Sequence, residues 1–315
     1  MAFQQLNNGE ISLRVAVEGS GPLILCVHGW PELWYSWRHQ MEHFANRGFT
    51  VAAMDVRGYG GSSKPDPISA YTMRELTSDV AAVAQQLSDS PVILFGHDWG
   101  APIVWNTALL HPEVVRAVAG LSVPYMPAGD TSTLDMFAEL YKDRFFYQNY
   151  FQAEGVVEAE VEANISDALR KIYFSISGES DDFLNEKPKD AKLLDGLTAP
   201  EKLPAWMTEA DMQVYEDAFE AGGFRGPINR YRAQRLDFEE LEELRGARMK
   251  VPACFIGGSH DAVRNFFPGV DLYAAADAGC DDFRGATIIE NVGHWVQQEA
   301  PRETNAALDN FVNGL

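Results

Sequence analysis

Asp98 stands at the centre of Gly96-His97-Asp98-Trp99-Gly100, between an apolar run and an amphipathic stretch. The pattern has the form glycine, any residue, nucleophile, any residue, glycine of a strand-to-helix elbow. Such a turn strains the backbone of its central residue, and larger side chains at the glycine positions would meet the neighbouring strand and helix. A carboxylate at that point is ionised at neutral pH and needs no base in order to attack. Displacement at a saturated carbon would turn it into an ester. The pentapeptide alone also fits an N-cap aspartate after a turn glycine.

Asp261 follows an apolar run in Gly257-Gly258-Ser259-His260-Asp261, and His294 follows another in Val292-Gly293-His294-Trp295. Nucleophile, acid and histidine in that chain order, each at a strand end, is the order of an α/β-hydrolase triad. Of the seven histidines, His39, His43 and His111 fall in helical stretches, His260 adjoins the acid and His97 packs beside the elbow. His294 alone joins a post-strand loop to the right order. His28-Gly29-Trp30-Pro31 directly follows the first buried run. A loop there can aim backbone N–H groups at the nucleophile's carbonyl, so Trp30 and Trp99 would form the oxyanion hole. Pro31 would fix the loop, a cis bond being one way to do so. Read alone, that tetrapeptide is a turn signal.

The elements that must carry these residues alternate in type. Leu23–Val27, Val51–Met54 and Val92–Phe95 are continuous apolar runs, as strands buried on both faces are. Helix signals lie between them. Thr72-x-x-Glu75 reads as a capping box before Leu76, Val80, Val83 and Leu87 at helical spacing. Ile103–Leu110 stops near Pro112, and Val114–Val123 reads as the next strand. The alternation predicts an α/β fold with a mostly parallel, doubly wound sheet. Strand signals fade from 127 to 246. Leu134–Phe151, Val156–Ile176, Thr208–Ala221 and Pro227–Leu244 read as helical, with a capping signal at Thr208–Asp211 and a stop at Gly222-Gly223. We expect an all-helical cap at 127–246, inserted between core segments 1–126 and 247–315. The sheet resumes with Pro252–Gly257 and Thr287–Val292, and Pro301 opens a last helix.

Composition removes several classes of function. Acidic residues outnumber basic ones 46 to 25, for a net charge of −21, so phosphate backbones and anionic membranes are repelled. No nucleic acid and no membrane is expected as a partner. With 46% hydrophobic and 23% charged residues in 315, the chain can bury a sizeable core and is neither disordered nor fibrous. Cys26, Cys254 and Cys280 form no C-x-x-C pair, which leaves neither a zinc knuckle nor a dithiol motif. Cys26 and Cys254 sit in apolar runs and read as buried, and a reducing cytoplasmic location fits. Met1–Glu10 lacks the apolar segment of a signal peptide, and no apolar run nears the roughly 20 residues of a membrane span.

Taken together, these motifs resemble the epoxide hydrolases of the α/β-hydrolase superfamily over nearly the whole chain. The resemblance is carried by His-Gly-Trp-Pro at 28–31, Asp55-Val56-Arg57-Gly58-Tyr59-Gly60, the elbow, and Gly293-His294-Trp295. Two insert segments resemble the cap of the soluble epoxide hydrolases. They are Phe146-Tyr147-Gln148-Asn149-Tyr150-Phe151-Gln152, with Val157-Glu158-Ala159-Glu160 after it, and Phe224-Arg225-Gly226-Pro227-Ile228-Asn229-Arg230-Tyr231-Arg232. The family's two epoxide-oxygen tyrosines fall on Tyr147 and Tyr231. A phenol can donate a strong hydrogen bond and a proton to an alkoxide. On the residues alone, aromatic cap packing is the favoured reading of both tyrosines, and Tyr150 is a near neighbour of the first.

The resemblance implies a small apolar epoxide and water as substrates, a vicinal diol as product and an ester of Asp98 between them. His294, supported by Asp261, would deprotonate the water. No metal or organic cofactor is implied, and homo-oligomerisation is left open. Trp30, Trp34 and Trp37 suggest an apolar pocket. One rival is a haloalkane dehalogenase, which shares the aspartate elbow but would want halide donors and no tyrosine pair. Trp30 stands where such enzymes often carry Asn or Glu, no acid follows the strand ending at Val123, and Trp99 stands where a fluoroacetate-type dehalogenase would more usually show Arg. The other rival is a catalytically idle hydrolase fold that serves as a ligand receptor.

Overall fold

Each apolar run singled out above falls on a strand, and those before Trp30, Asp98 and Asp261 end at the loops that carry these residues. The computed structural model describes residues 1–180, 182 and 186–315. The strands are β1 (Ala2–Asn8), β2 (Ile11–Gly19), β3 (Leu23–Val27), β4 (Thr50–Met54), β5 (Val92–His97), β6 (Val115–Leu121), β7 (Ala253–Gly258) and β8 (Phe283–Ile289). They form one sheet in the order β1-β2-β4-β3-β5-β6-β7-β8. From β4 onward every pairing is parallel, so the doubly wound sheet expected from the alternation is present. Strands β3, β5 and β7 are buried along their whole length. Continuous apolar runs are what two covered faces require.

The antiparallel start of the sheet was not foreseen. β1 pairs with β2 from Ala2↔Val17 to Asn8↔Ile11, and β2 pairs with β4. β1 is a largely exposed edge strand, so no apolar alternation marks it. β8, at the other edge, begins four residues before the expected Thr287, for the same reason: its middle is exposed.

Helices α1 (Arg38–Ala45), α2 (Met73–Leu87) and α3 (Gly100–Leu110) alternate with the first strands. Between β6 and β7 the regular elements among the described residues are helical. They are α4 (Thr133–Leu140), α5 (Tyr147–Tyr150), α6 (Val156–Val161), α7 (Ile165–Ser175), α8 (Glu209–Gly222), α9 (Arg225–Arg232) and α10 (Gln234–Glu240). Ala128 and Arg245 form an isolated bridge, so the chain leaves and re-enters the core side by side. After β8 come α11 (Val296–Glu299) and α12 (Pro301–Asn313). Proline occupies the first turn of α12, where its missing N–H costs nothing. No helix among the described residues is long and apolar enough to cross a membrane.

Three expected helices are broken, Pro227–Leu244 among them, which divides at Ala233 into α9 and α10 and ends at Glu240. Leu134–Phe151 divides because Phe146 is extended, with its ring stacked on Tyr141 at 4.2 Å and the Phe145 N–H turned to the Lys187 carbonyl at 3.0 Å. Val156–Ile176 divides at Asn164, whose side chain caps α7 through the Asp167 N–H. The capping box at Thr208–Asp211 forms as expected. That at Thr72–Glu75 does not: Thr72 makes no side-chain cap. Glu75 is taken by the Arg57 guanidinium at 2.8 Å, and the Met73 N–H is accepted by Asp237 Oδ1 at 2.6 Å. A distant carboxylate thus replaces the local cap.

Candidate active site

The elbow between β5 and α3 holds Asp98 at φ 49°, a left-handed conformation uncommon for a residue with a side chain. A Cβ on Gly100 would lie 2.0 Å from the Val27 carbonyl oxygen, so only glycine lets the helix start this close to β3. A Cβ on Gly29 would lie 2.2 Å from Asp98 Oδ1 and 2.6 Å from the Trp99 nitrogen. The β3 loop, the carboxylate and the Trp99 amide therefore share one small space. Trp30 N–H donates to Asp98 Oδ1 at 2.6 Å, and the Trp30–Pro31 bond is cis.

The structure brings Asp98, His294 and Asp261 together from three strand ends. His294 Nε2 faces Asp98 Oδ2 at 3.4 Å, and its Nδ1 lies 3.0 Å from Asp261 Oδ2. Asp261 is buried and accepts from the Val263 N–H at 3.0 Å and the Tyr273 hydroxyl at 2.7 Å. Burial would raise its pKa, but the His294 charge and these hydrogen bonds hold it below the usual value. For His294 the balance runs the other way. Burial alone would lower its pKa, and the Asp261 and Asp98 carboxylates raise it well above 6.5.

Tyr147 opens α5 and Tyr231 lies in α9, with their rings edge-on at 5.8 Å. Tyr231 also meets the Trp99 ring at 5.3 Å. Burial raises the pKa of both phenols, and the Asp98 charge adds to it. Both keep their protons at neutral pH. Tyr150 is placed elsewhere: its hydroxyl donates to Glu160 Oε2 at 2.8 Å.

Two cavities meet at Asp98 and Tyr147. The wider, about 300 Å³, runs between Leu109, Leu134, Phe137, Phe238 and Leu241. The narrower, about 30 Å³, is walled by Ile172, Ile176, Leu193 and Leu197, with Trp30 and Tyr231 at its base. Of the three tryptophans expected to line the pocket, Trp30 does. Trp34 instead packs edge-on against Phe3, and Trp37 packs against Phe95 beneath the sheet's loops.

Residues 22–301 match the family model of the α/β hydrolase fold. Epoxide hydrolase A of Mycobacterium tuberculosis is 37% identical, covering 97% of this chain and 95% of its own. Epoxide hydrolase B of that organism is 36% identical, covering 94% and 92%. An epoxide hydrolase from an endophytic Streptomyces superposes with a TM-score of 0.94 at 40% identity, over 99% of this chain and 95% of its own.

The chain belongs to the epoxide hydrolase family of the α/β hydrolases. Several polar residues that hold this epoxide hydrolase site together went unseen in the sequence. Glu32, one residue past His-Gly-Trp-Pro, is fully buried, and its Oε2 meets His97 Nδ1 at 2.7 Å. Burial would raise its pKa, but the His97 charge and hydrogen bonds hold it at about 2. His97 in turn donates from Nε2 to the His294 carbonyl at 2.8 Å, and the Ser122 hydroxyl donates to the same oxygen at 2.7 Å. The visible signal was an acid inside the otherwise apolar run Trp30-Pro31-Glu32-Leu33-Trp34. Glu299 accepts the N–H groups on both sides of His294, from Gly293 and Trp295, each at 3.0 Å. Nothing in its sequence neighbourhood set it apart from a surface acid.

Proposed function

We propose that the protein converts an apolar epoxide to a vicinal diol through an ester of Asp98. The reading rests on His294, which bridges Asp98 and Asp261, and on the pair formed by the partly buried Tyr147 and the buried Tyr231. Asp98 Oδ1 is engaged by the Trp30 N–H, which leaves Oδ2 to attack an oxirane carbon. As the carbon–oxygen bond breaks, Tyr147 and Tyr231 stabilise the oxygen and supply its proton. A hydroxyalkyl ester forms.

Esterification removes the Asp98 charge, one of the two that hold the proton on His294. The imidazolium then returns a proton to the tyrosine that gave one and becomes a base. Neutral His294 takes a proton from water, and the hydroxide adds to the ester carbonyl. Charge on that oxygen meets the Trp30 and Trp99 amides. Collapse breaks the acyl–oxygen bond, and the Asp98 carboxyl passes its proton to the departing alkoxide. The diol leaves with Asp98 ionised and His294 protonated again.

One wider and one narrower branch favour an epoxide with one bulky apolar substituent and one small one. We take 127–246 as the cap that supplies both tyrosines and half of the wider wall. Offering styrene oxide and 1-chlorohexane side by side tests the assignment. Diol from the first and no halide from the second are expected. Halide release with no diol would make the protein a dehalogenase, and inertness toward both would make it a receptor.

A further inference from the structure

Gln148 follows Tyr147 in the chain, and its side chain turns back onto it. Gln148 Nε2 donates to the Tyr147 phenol oxygen at 3.0 Å. An amide can be placed either way round, so its direction needs a reason. The next side chain supplies one. Gln234 Nε2 lies 3.0 Å from the backbone carbonyl of Tyr231. A carbonyl only accepts, so that end of Gln234 must be the NH2 group. The same NH2 group reaches Gln148 at 3.2 Å, and the atom that receives it must be the Gln148 oxygen. Gln148 is left with its NH2 group for Tyr147. Through two glutamines, the Tyr231 carbonyl fixes the Tyr147 oxygen as an acceptor.

A phenol has one proton. With its oxygen accepting from Gln148, that proton must leave in another direction. The donated N–H also stabilises negative charge on the same oxygen, against the burial that raises the Tyr147 pKa. Both glutamines are on the wall of the wider branch, where the oxirane's larger substituent would lie. The geometry points to Gln148 as a positioning residue that keeps Tyr147 a proton donor toward the oxirane oxygen, with Gln234 setting the amide's direction. This rests on reading Tyr147 as an acid in the ring opening. Gln148 acts through the phenol and needs no contact with the reacting atoms.

Rapid mixing of the whole protein with styrene oxide, followed by tryptophan fluorescence, isolates the alkylation step. Gln148→Leu should slow it about ten- to a hundredfold, as for one hydrogen bond to a charged group, with KM and ester hydrolysis moved much less. In a Tyr147→Phe background the same change should move alkylation by less than about twofold, because the atom it serves is gone. Gln148→Glu gives a readout that packing would not. Its ionised carboxylate can only accept, so it takes the phenol proton, whereas the protonated carboxyl donates again. Relative to the parent at each pH, its alkylation rate should therefore rise as pH falls through the carboxyl range. Gln234→Leu should show a smaller loss in the same step. Should Gln148→Leu fail to fold by circular dichroism, Gln148→Glu and Gln234→Leu carry the test.

Equal losses from Gln148→Leu with and without Tyr147→Phe would make Gln148 a packing residue and overturn the inference alone. A Gln148→Glu profile parallel to the parent's would do the same. If Tyr147→Phe leaves alkylation unchanged, or the parent forms no diol, the functional reading falls and takes the inference with it.

Discussion

The Gly178 N–H donates to Glu299 Oε2 at 2.8 Å. The segment after α7 is thereby tied to the carboxylate that also holds Gly293 and Trp295, the two neighbours of His294. From the same segment, the Ile176 carbonyl accepts the His294 N–H at 2.8 Å. The histidine loop is held by the Glu299 carboxylate and by the Ile176 backbone carbonyl. Glu299→Ala should leave three partly buried donors without their acceptor and destabilise the protein by about 3 kcal/mol. Urea unfolding measures that loss. Single turnovers should show ester hydrolysis slowed more than alkylation, because only the second step needs the base in place. An unchanged midpoint and unchanged hydrolysis would show that the loop is held by other contacts.

Asp98 should carry the oxygen exchange. A single turnover in heavy-oxygen water should place label in the Asp98 carboxylate, because water attacks the acyl carbon. The first diol should hold unlabelled oxygen from the enzyme. Label found directly in that diol would point to water attacking the oxirane and end the ester scheme.

The two steps should separate by substitution. Asp98→Ala should abolish both. His294→Ala should still alkylate, since a carboxylate needs no base, and then stall. Intact-mass analysis should show the protein heavier by one epoxide. A folded His294→Ala protein that stays unmodified in saturating epoxide would mean that the histidine serves the first step.

The phenols should act in partial redundancy. Tyr147→Phe or Tyr231→Phe alone should slow alkylation by about one to three orders of magnitude, the range for losing one acid or oxyanion donor. Both together should leave almost none. Tyr150→Phe should be close to neutral for alkylation, because its hydroxyl belongs to Glu160. A Tyr150→Phe loss as large as that of Tyr147→Phe would reassign the first acid.

The charge on His294 should be visible in stability. Its pKa is raised well above 6.5 in the folded protein: burial opposes the shift, and the Asp261 and Asp98 carboxylates outweigh it. A raised value means that the imidazolium's contribution is fully present below about pH 6.5 and is lost as pH rises through the folded value. Asp98→Asn removes one of the two carboxylates and moves that loss to lower pH. Urea unfolding of parent and variant from pH 6 to 10 should therefore show the parent's advantage shrinking as pH rises. An advantage that grows with pH would contradict the ion pair.

How much of this was legible in the sequence depended on whether local spacing or distant partners did the work. Asp98, Asp261 and His294 were legible because each follows a strand in the expected chain order, the first two after fully buried ones, and the glycines of the elbow answer a steric demand at fixed positions. The parallel half of the sheet was legible because two covered faces require unbroken apolar runs. The β1–β2 hairpin was not, since an exposed edge makes no such demand. Glu32 and Glu299 were hidden among 46 acidic residues, and only the fold separates a buried acceptor from a solvated acid. The capping box at Thr72 was misread because Arg57 and Asp237, both outside the motif, compete for its groups. Gln148 was not legible, because a glutamine's direction is set by what it faces.

The carboxylate of Asp237 has a consequence for engineering and descent. One oxygen caps α2 at the Met73 N–H, and the other meets Arg230, whose guanidinium lies 4.7 Å above the Trp99 ring. The segment that carries Arg230 and Asp237 therefore completes a helix of the sheet layer and braces the indole beside Asp98. Exchanging inserts between relatives to graft a new substrate range would succeed only where the donor brings an acceptor for Met73. Trimming the chain to its sheet and flanking helices would leave α2 fraying at its first turn. The two parts of this molecule can diversify in their walls, but they must be inherited as a matched pair at that joint.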